Sequence, residues 1–438
     1  MSNPAQVELG LDQPGGPKQV AILHPAFDRP GGAEDNVVVF SEALIERGWS
    51  VKIVTARWNP GAFGGRLDRF KPCLVPRPRA GLAGGVDRRS LAAIADAIHD
   101  CDIAMAHNYP FNAYLGWVPA ALPKVWYCQE PQRRIHAQET SPGLQRAVAR
   151  RKLDPAVPGN LELVRALRAS RWLRRLSLRH RGKRSFDMAG VRGIDAVWAN
   201  STETAAQFRS LYRRSADVFY MSVVIPERLP PVARLAGPLR ILTMGGFGPV
   251  KGFGRLLHGF ERFHRSRPGA AVLEVVGSTA GQVPFEQFVM KHALSDAVHF
   301  HGRLTDAELA VLREQCHAFA AAPVDEPFGL VFAEAAAAGL VMIVPDHGGP
   351  REIALDGGAG ILIDIFDPQD IAAAFARLAD LSPDEREKLR QRGFDGAKAR
   401  FDRARLGARL TAQLDLVLQA HTPSPVQARR TLPLAEAW

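Results

Sequence analysis

Two carboxylates, Glu326 and Glu334, stand eight positions apart in the run Asp325-Glu326-Pro327-Phe328-Gly329-Leu330-Val331-Phe332-Ala333-Glu334-Ala335-Ala336-Ala337-Ala338-Gly339. An apolar, alanine-rich segment gains nothing from an unpaired buried charge, so Glu334 requires a hydrogen-bonding partner. Pro327 suits the first turn of a helix, and Gly329 lets another group approach the backbone amides closely. Free amides and the helix dipole together favour phosphate at such a start. Eight helical residues rise about 12 Å, so the two carboxylates can bracket a diphosphate and accept hydroxyl protons at either end. Hydroxyls, diphosphate, hydroxyls is the layout of a sugar nucleotide. A plainer reading pairs Glu326 with the helix dipole and Glu334 with a basic residue on a neighbouring element. Lys251 is the third group of interest, in Gly245-Gly246-Phe247-Gly248-Pro249-Val250-Lys251-Gly252 between a predicted strand and helix. An ammonium there can stabilise a departing nucleoside diphosphate by preorganised electrostatics.

With its continuation through Val344-Pro345-Asp346-His347-Gly348-Gly349-Pro350-Arg351-Glu352-Ile353, this segment resembles the donor-binding stretch of family 4 glycosyltransferases. Their pattern is Glu, seven residues, Glu, then a strand ending in a Gly-Gly turn. The resemblance implies the GT-B architecture and transfer from a nucleoside-diphosphate sugar, with retention of anomeric configuration and no metal or other cofactor. It assigns Glu334 to the ribose hydroxyls and Glu326 to the sugar hydroxyls. Lys251 and the amides of Phe328, Gly329 and Leu330 then bind the diphosphate.

The family also carries Gly-Arg, a short spacer and Lys-Gly, whereas Gly246 occupies the arginine position here, removing one of two cations. Arg255 or Arg303 can supply the charge, although either one taken singly reads more readily as an ordinary surface arginine. Gly31 and Gly32, in Arg29-Pro30-Gly31-Gly32-Ala33-Glu34, match the family's Gly-Gly loop near the donor phosphates; alone, such a pair is a turn. His107 ends a strand where relatives carry a cleft histidine, expected on the transferred sugar or the acceptor. Glu130 and Arg133, in the stretch from Trp126 to Arg134, resemble acceptor-side residues and read equally as a surface ion pair. Ala199-Asn200-Ser201 fits the family too and reads as a helix cap.

These groups need a scaffold. Gln19–His24 reads as a buried strand, a helix runs from about Glu34 to Arg47, Gly48 ends it, and Ser50–Thr55 is a second strand. Strand, helix, strand in about forty residues is the parallel-sheet unit of a doubly wound domain. Further strands fit Ile103–Ala106, Lys124–Cys128 and Ala196–Ala199. After the proline-rich Val224–Pro231 the pattern restarts with strands at Arg240–Met244, Ala271–Gly277, Val298–Gly302 and Ala318–Ala321. The expected class is α/β, two Rossmann-like domains facing across a cleft. The expected divisions are a disordered tail 1–18; an acceptor-side domain 19–225 with a basic helical insertion at about 141–190; a linker 226–238; a donor domain 239–400; and a C-terminal helix and tail 401–438 that crosses back to the first domain.

A chain of 438 residues with 46% hydrophobic content suffices for two or three domains with buried cores. Cys73, Cys101, Cys128 and Cys316 are scattered without ligand spacing, which argues against structural zinc and a disulfide framework. The start, Met1–Gln6, has no basic or apolar signal region, and no apolar run approaches the roughly 20 residues that span a bilayer. A cytoplasmic protein is expected. The net charge of +11 points to acidic partners, and nucleic acid is disfavoured because no nucleic-acid motif accompanies it.

Arg and Lys crowd between Arg146 and Arg192, interleaved with Leu161, Leu163, Val164, Leu167, Trp172, Leu173, Leu176 and Leu178. This is a basic amphipathic helix or hairpin. It either lies peripherally on an anionic membrane face or packs its apolar stripe on the domain. The expected partners are a nucleoside-diphosphate sugar and a glycan, lipid-linked or small-molecule acceptor. A non-catalytic sugar-nucleotide or membrane-surface binding protein that lost turnover through Gly246 is the alternative. A nicotinamide oxidoreductase is disfavoured because neither glycine turn reads GxGxxG.

Overall fold

The computed structural model describes residues 16–29, 31–79, 85–137, 139–150, 152–231, 237–355 and 358–421. Most of the expected N-terminal tail, the middle of the expected linker and the stretch after His421 lie outside the described residues, as does Pro30.

The first half runs β1 (Gln19–His24), α1 (Gly32–Ile45), β2 (Ser50–Thr55), β3 (Cys73–Leu74), α2 (Arg88–Ile98), β4 (Ile103–Ala106), α3 (Phe111–Trp117) and β5 (Lys124–Cys128). It continues with α4 (Arg133–His136), α5 (Pro142–Ala149), α6 (Asn160–Leu176), α7 (Leu178–Val191), β6 (Ala196–Ala199), α8 (Thr202–Tyr212) and β7 (Asp217–Val218). The second half runs β8 (Leu239–Met244), α9 (Phe253–Ser266), β9 (Ala271–Val276), α10 (Val283–Lys291), β10 (Val298–Gly302), α11 (Asp306–Gln315) and β11 (Ala318–Ala320). Then come α12 (Leu330–Ala337), β12 (Val341–Pro345), α13 (Gly349–Leu355), β13 (Gly360–Ile363), α14 (Pro368–Asp380), α15 (Pro383–Phe401) and α16 (Leu406–Ala420).

Both sheets are parallel throughout, in the orders β3-β2-β1-β4-β5-β6-β7 and β10-β9-β8-β11-β12-β13. Strands covered on both faces must be apolar along their whole length, and every residue of β4, β5, β9 and β12 is buried. The strand order reverses direction between β1 and β4 and again between β8 and β11. Ligands of such sheets sit outside the strand C-termini at these switch points. The α/β class with two Rossmann-like halves is therefore the architecture of the chain.

The halves share side chains at two places. Leu406, Leu410 and Leu414 of α16 are buried in one core with Val37 and Phe40 of α1 and with Phe328 and Phe332 of the second half. The backbone of Val223 pairs on either side of Asp402, accepting from the Arg403 amide and donating to the Phe401 carbonyl. On the other face of the second sheet, Leu144 and Ala147 of α5 and Leu163 and Leu167 of α6 are buried with Phe253, Leu256 and Phe375. Helix α7 returns to the first half, where Phe186 stacks on Trp117 and Gly190 lies against Ala113 so closely that a Cβ would stand 2.4 Å from the Ala113 carbonyl oxygen. The basic segment thus divides its stripe: Leu163 and Leu167 are buried, whereas Trp172, Leu176 and Leu178 are exposed at the α6–α7 elbow. Among the described residues no helix is long and apolar enough to cross a membrane.

Candidate functional site

The turn after β8 is built from glycines that the backbone demands. Gly245 has φ +144 and Gly252, which caps α9, has φ +75; a Cβ on Gly252 would stand 1.8 Å from the Ala322 carbonyl oxygen. Lys251, directly before Gly252, lines the small hollow of this turn with Gly245 and Gly246. Its Nζ lies 3.0 Å from Glu326 Oε2, with the lysine half exposed and the glutamate mostly covered.

Glu326 does not lie on the helix expected from Pro327. Helix α12 begins at Leu330, and Gly329, at φ +87, is its N-cap. A residue in the left-handed region cannot continue a right-handed helix, so the glycine overrides the proline cue. Glu326 and Pro327 occupy a loop drawn inward by buried Phe328, whose ring packs on Tyr220 and Phe401. The Gly349 amide donates to the Glu326 carbonyl at 2.9 Å, and Ser201 Oγ donates to the Pro327 carbonyl at 2.6 Å. The Leu330 and Val331 amides have no partner within the helix by its geometry, whereas the Phe332 amide donates to the Gly329 carbonyl at 2.9 Å.

Glu334, one turn into α12, has the basic partner that its burial requires. Arg313 of α11 donates from Nη2 to Glu334 Oε2 at 2.8 Å. Burial pushes the Glu334 carboxyl above its ordinary pKa, and Arg313 opposes that shift. Sequence reading missed Arg313. The only signal was the demand of Glu334 for a cation, and nothing in the chain says that residue 313 faces residue 334. A cavity of about 740 Å³ opens beside this pair, lined by Asp35 and Arg66 of the first half and by Arg313, Leu330, Glu334 and Arg403. Its size suits a nucleotide-sized ligand.

At Gly246 nothing stands within 4 Å of where a Cβ would be. Arg255 does not fill that gap. It is buried, donating to the Pro249 and Ala322 carbonyls at 3.0 and 3.1 Å and to Asn160 Oδ1 at 3.3 Å, with its guanidinium over the Phe366 ring. It props the glycine turn from behind because α9 points it inward, and burial lowers its pKa to about 10. Arg303 is exposed just past β10, an edge strand that β9 separates from β8.

On the facing half, Gly31 caps α1 in extended conformation, and a Cβ there would meet Glu34 Oε2 at 2.6 Å. Gly32, the first residue of α1, is unobstructed. Glu34 Oε1 stands 3.3 Å from His24 Nε2 at the end of β1. His107 is only 1% exposed, enclosed by Phe40, Tyr127 and His24, and neither ring nitrogen has a hydrogen-bond partner. Burial holds its pKa well below the usual histidine value. The expectation that it lines the cleft is thus corrected: the residue ends a central strand covered by α1.

Glu130 and Arg133 do form an ion pair, at 3.0 Å. Arg133 also crosses between the halves, donating to the Asp325 carbonyl at 2.8 Å. The Asp325 carboxylate, 3% exposed, accepts the Gly143 and Leu144 amides of α5 at 2.7 and 3.0 Å. The first half therefore holds the loop bearing Glu326 at Asp325 and at Pro327. Burial raises the Cys101 and Cys316 thiols to about 12, which leaves them poor nucleophiles. Among the described residues no group of three His, Cys, Asp or Glu side chains is arranged to hold a metal ion.

Residues 228–395 match the family Glycosyl transferases group 1. Glycogen synthase of Mycobacterium tuberculosis is 31% identical over 144 residues, covering 33% of this chain and 34% of that protein. D-inositol 3-phosphate glycosyltransferase of Thermomonospora curvata is 29% identical over 224 residues, covering 45% and 51%. The chain thus spans between a third and a half of the length of the curated relatives it matches. Among solved structures, HepE of Anabaena in complex with UDP superposes with a TM-score of 0.67 at 17% identity, over 91% of this chain and 100% of that one. That likeness extends over both halves and is one of fold, the GT-B arrangement. The match to glycosyl transferases group 1 thus takes in the whole second sheet with Lys251, Glu326 and Glu334.

Proposed function

We propose that the chain is a glycosyltransferase that moves a hexosyl group from a nucleoside-diphosphate sugar to a glycan, lipid-linked or small-molecule acceptor in polysaccharide biosynthesis. The observation that carries this reading is the short segment 326–334, which is ion-paired to Lys251 through Glu326 at one end and at the other places Leu330 and Glu334 on the wall of the cavity between the halves. The relatives named as transferases support it, as does HepE, solved with UDP and with UDP-glucose.

In this reading Glu334 accepts the ribose hydroxyls and Glu326 accepts a hydroxyl of the sugar. The Leu330 and Val331 amides and Lys251 take the diphosphate. As the sugar–phosphate bond breaks, the leaving oxygen gains charge that the ammonium and the amides already face. Protein cations then do what a metal does in other transferases, and the anomeric configuration is retained. The protein is incubated with UDP- and GDP-sugars and an acceptor extract, and released nucleoside diphosphate is measured with and without EDTA. Release unaffected by EDTA, with the product anomer matching the donor by NMR, is the expected result. Nucleotide binding without release would favour a non-catalytic binding protein, the reading that Gly246 keeps open.

The exposed Trp172, Leu176 and Leu178, beside exposed Arg168, Arg171 and Arg179, suit a peripheral site on an anionic lipid surface at the cytoplasmic face. Free, mostly buried cysteines accord with a reducing compartment. Vesicles containing anionic lipid should sediment the protein at low salt, and sedimentation that survives replacement of all three apolar residues by Ser would refute this assignment.

A further inference from the structure

The two carboxylates assigned to the donor, Glu326 and Glu334, are paired with Lys251 and Arg313. The cavity beside them is lined by five carboxylates, those of Asp35, Glu42, Asp306, Glu314 and Glu334, against four arginines that include Arg313. Loss of Arg313 makes that wall more negative, which opposes a diphosphate that itself carries two or more negative charges. The ammonium of Lys251 is already engaged by Glu326.

Arg313 lines the cavity together with Leu330, the first residue of α12. Its Nη2 bonds Glu334 and also stands 3.9 Å from the sulfur of Met244, the last residue of β8 and the neighbour of Gly245. That one nitrogen therefore stands between the carboxylate assigned to the ribose and the side chain of the residue that precedes the glycine turn. Its Nε is buried and has no hydrogen-bond partner. A guanidinium offers five N–H donors in a planar fork, and a buried donor left unpaired is costly. The empty volume around Gly246 leaves the turn open on the phosphate path.

We infer that Arg313 is the second cation of the diphosphate site, donating to a phosphate oxygen of the bound nucleotide while it orients Glu334. The inference rests on the donor reading above and names a group that reading does not use. A guanidinium held over a phosphate discriminates by phosphate count. If it served Glu334 alone, its loss would weaken every ligand carrying a ribose by the same factor.

Calorimetric titrations with uridine, UMP and UDP, and with guanosine, GMP and GDP, on wild type, R313Q and R313K separate the two. The expected result is that R313Q weakens the diphosphate by about tenfold or more and the nucleoside by less than about threefold, with R313K restoring most of the difference. Equal losses across nucleoside, monophosphate and diphosphate, or no loss, would overturn the assignment of Arg313 and leave the donor reading intact. Failure of the wild type to bind either diphosphate would overturn the donor reading and this inference with it. Thermal melts check that the variants fold, and R313M, which keeps the length of the side chain without its charge, carries the comparison if R313Q does not.

Discussion

Replacing Asp325 by Ala removes a carboxylate that receives two buried backbone amides from the other half of the protein, those of Gly143 and Leu144 at 2.7 and 3.0 Å. Each bond is charge-assisted, worth about 1.5–3 kcal/mol against an unsatisfied group, and the pair acts as the N-terminal cap of α5. Water entering the vacated space relieves part of that loss, so D325A should destabilise the protein by about 2–4 kcal/mol. D325N keeps one acceptor oxygen and tolerates the left-handed backbone at φ +47, so its loss should be about half as large.

Urea unfolding followed by fluorescence measures the change, and hydrogen exchange should localise it to residues 143–147 and 325–330. Because Glu326 follows directly, nucleotide affinity should weaken in the same rank order. A D325A protein within about 0.5 kcal/mol of wild type, with unchanged exchange at α5, would refute the view that this carboxylate ties the halves together.

Lys251→Gln should lower turnover by about a hundredfold while leaving nucleoside binding nearly intact, as loss of a charge that acts mainly on the leaving group requires; steady-state and binding measurements on one preparation check this. Gly252→Ala should cost about 3 kcal/mol or more in denaturant melts, since it combines a positive φ with a Cβ 1.8 Å from a carbonyl oxygen. The carboxyl of Glu334 has a raised pKa, so the folded state holds its proton more tightly than the unfolded chain does. Its ionisation therefore subtracts stability as pH rises from the ordinary carboxylate value through the raised one. Nucleotide affinity should increase across the same window, because only the ionised carboxylate accepts two hydroxyl protons, and E334Q should flatten both dependences in pH-resolved melts and titrations.

The double Rossmann-like plan was readable because parallel strands buried on both faces leave uninterrupted apolar runs, as at Val341–Pro345 and Ile103–Ala106. The glycine turn with Lys251 was readable because strand, turn and helix are local patterns. Glu326 was misplaced onto a helix because two local rules competed there. Proline at a first turn is a preference, whereas a left-handed glycine is a steric stop, and sequence alone does not reveal the sign of φ at Gly329. Arg313 and Asp325 were missed because their roles lie in contacts across 21 and about 180 positions of chain. The buried state of His107 was hidden for a similar reason: whether a strand end is covered depends on how α1 lies over it. The stripe along α6 was visible, but its division into a packed half and an exposed half depends on where the second sheet stands.

The attachments described above lie on opposite faces of the second sheet, α5 and α6 on one and α16 with the Val223–Asp402 pairing on the other. A body fastened along a single edge swings like a door, and a body fastened on two opposed faces slides. Access to the cleft therefore calls for a shear of one to a few ångströms between packed helices, with the side-chain contacts of α5 as the sliding surface. The radius of gyration should then hardly change when nucleotide binds.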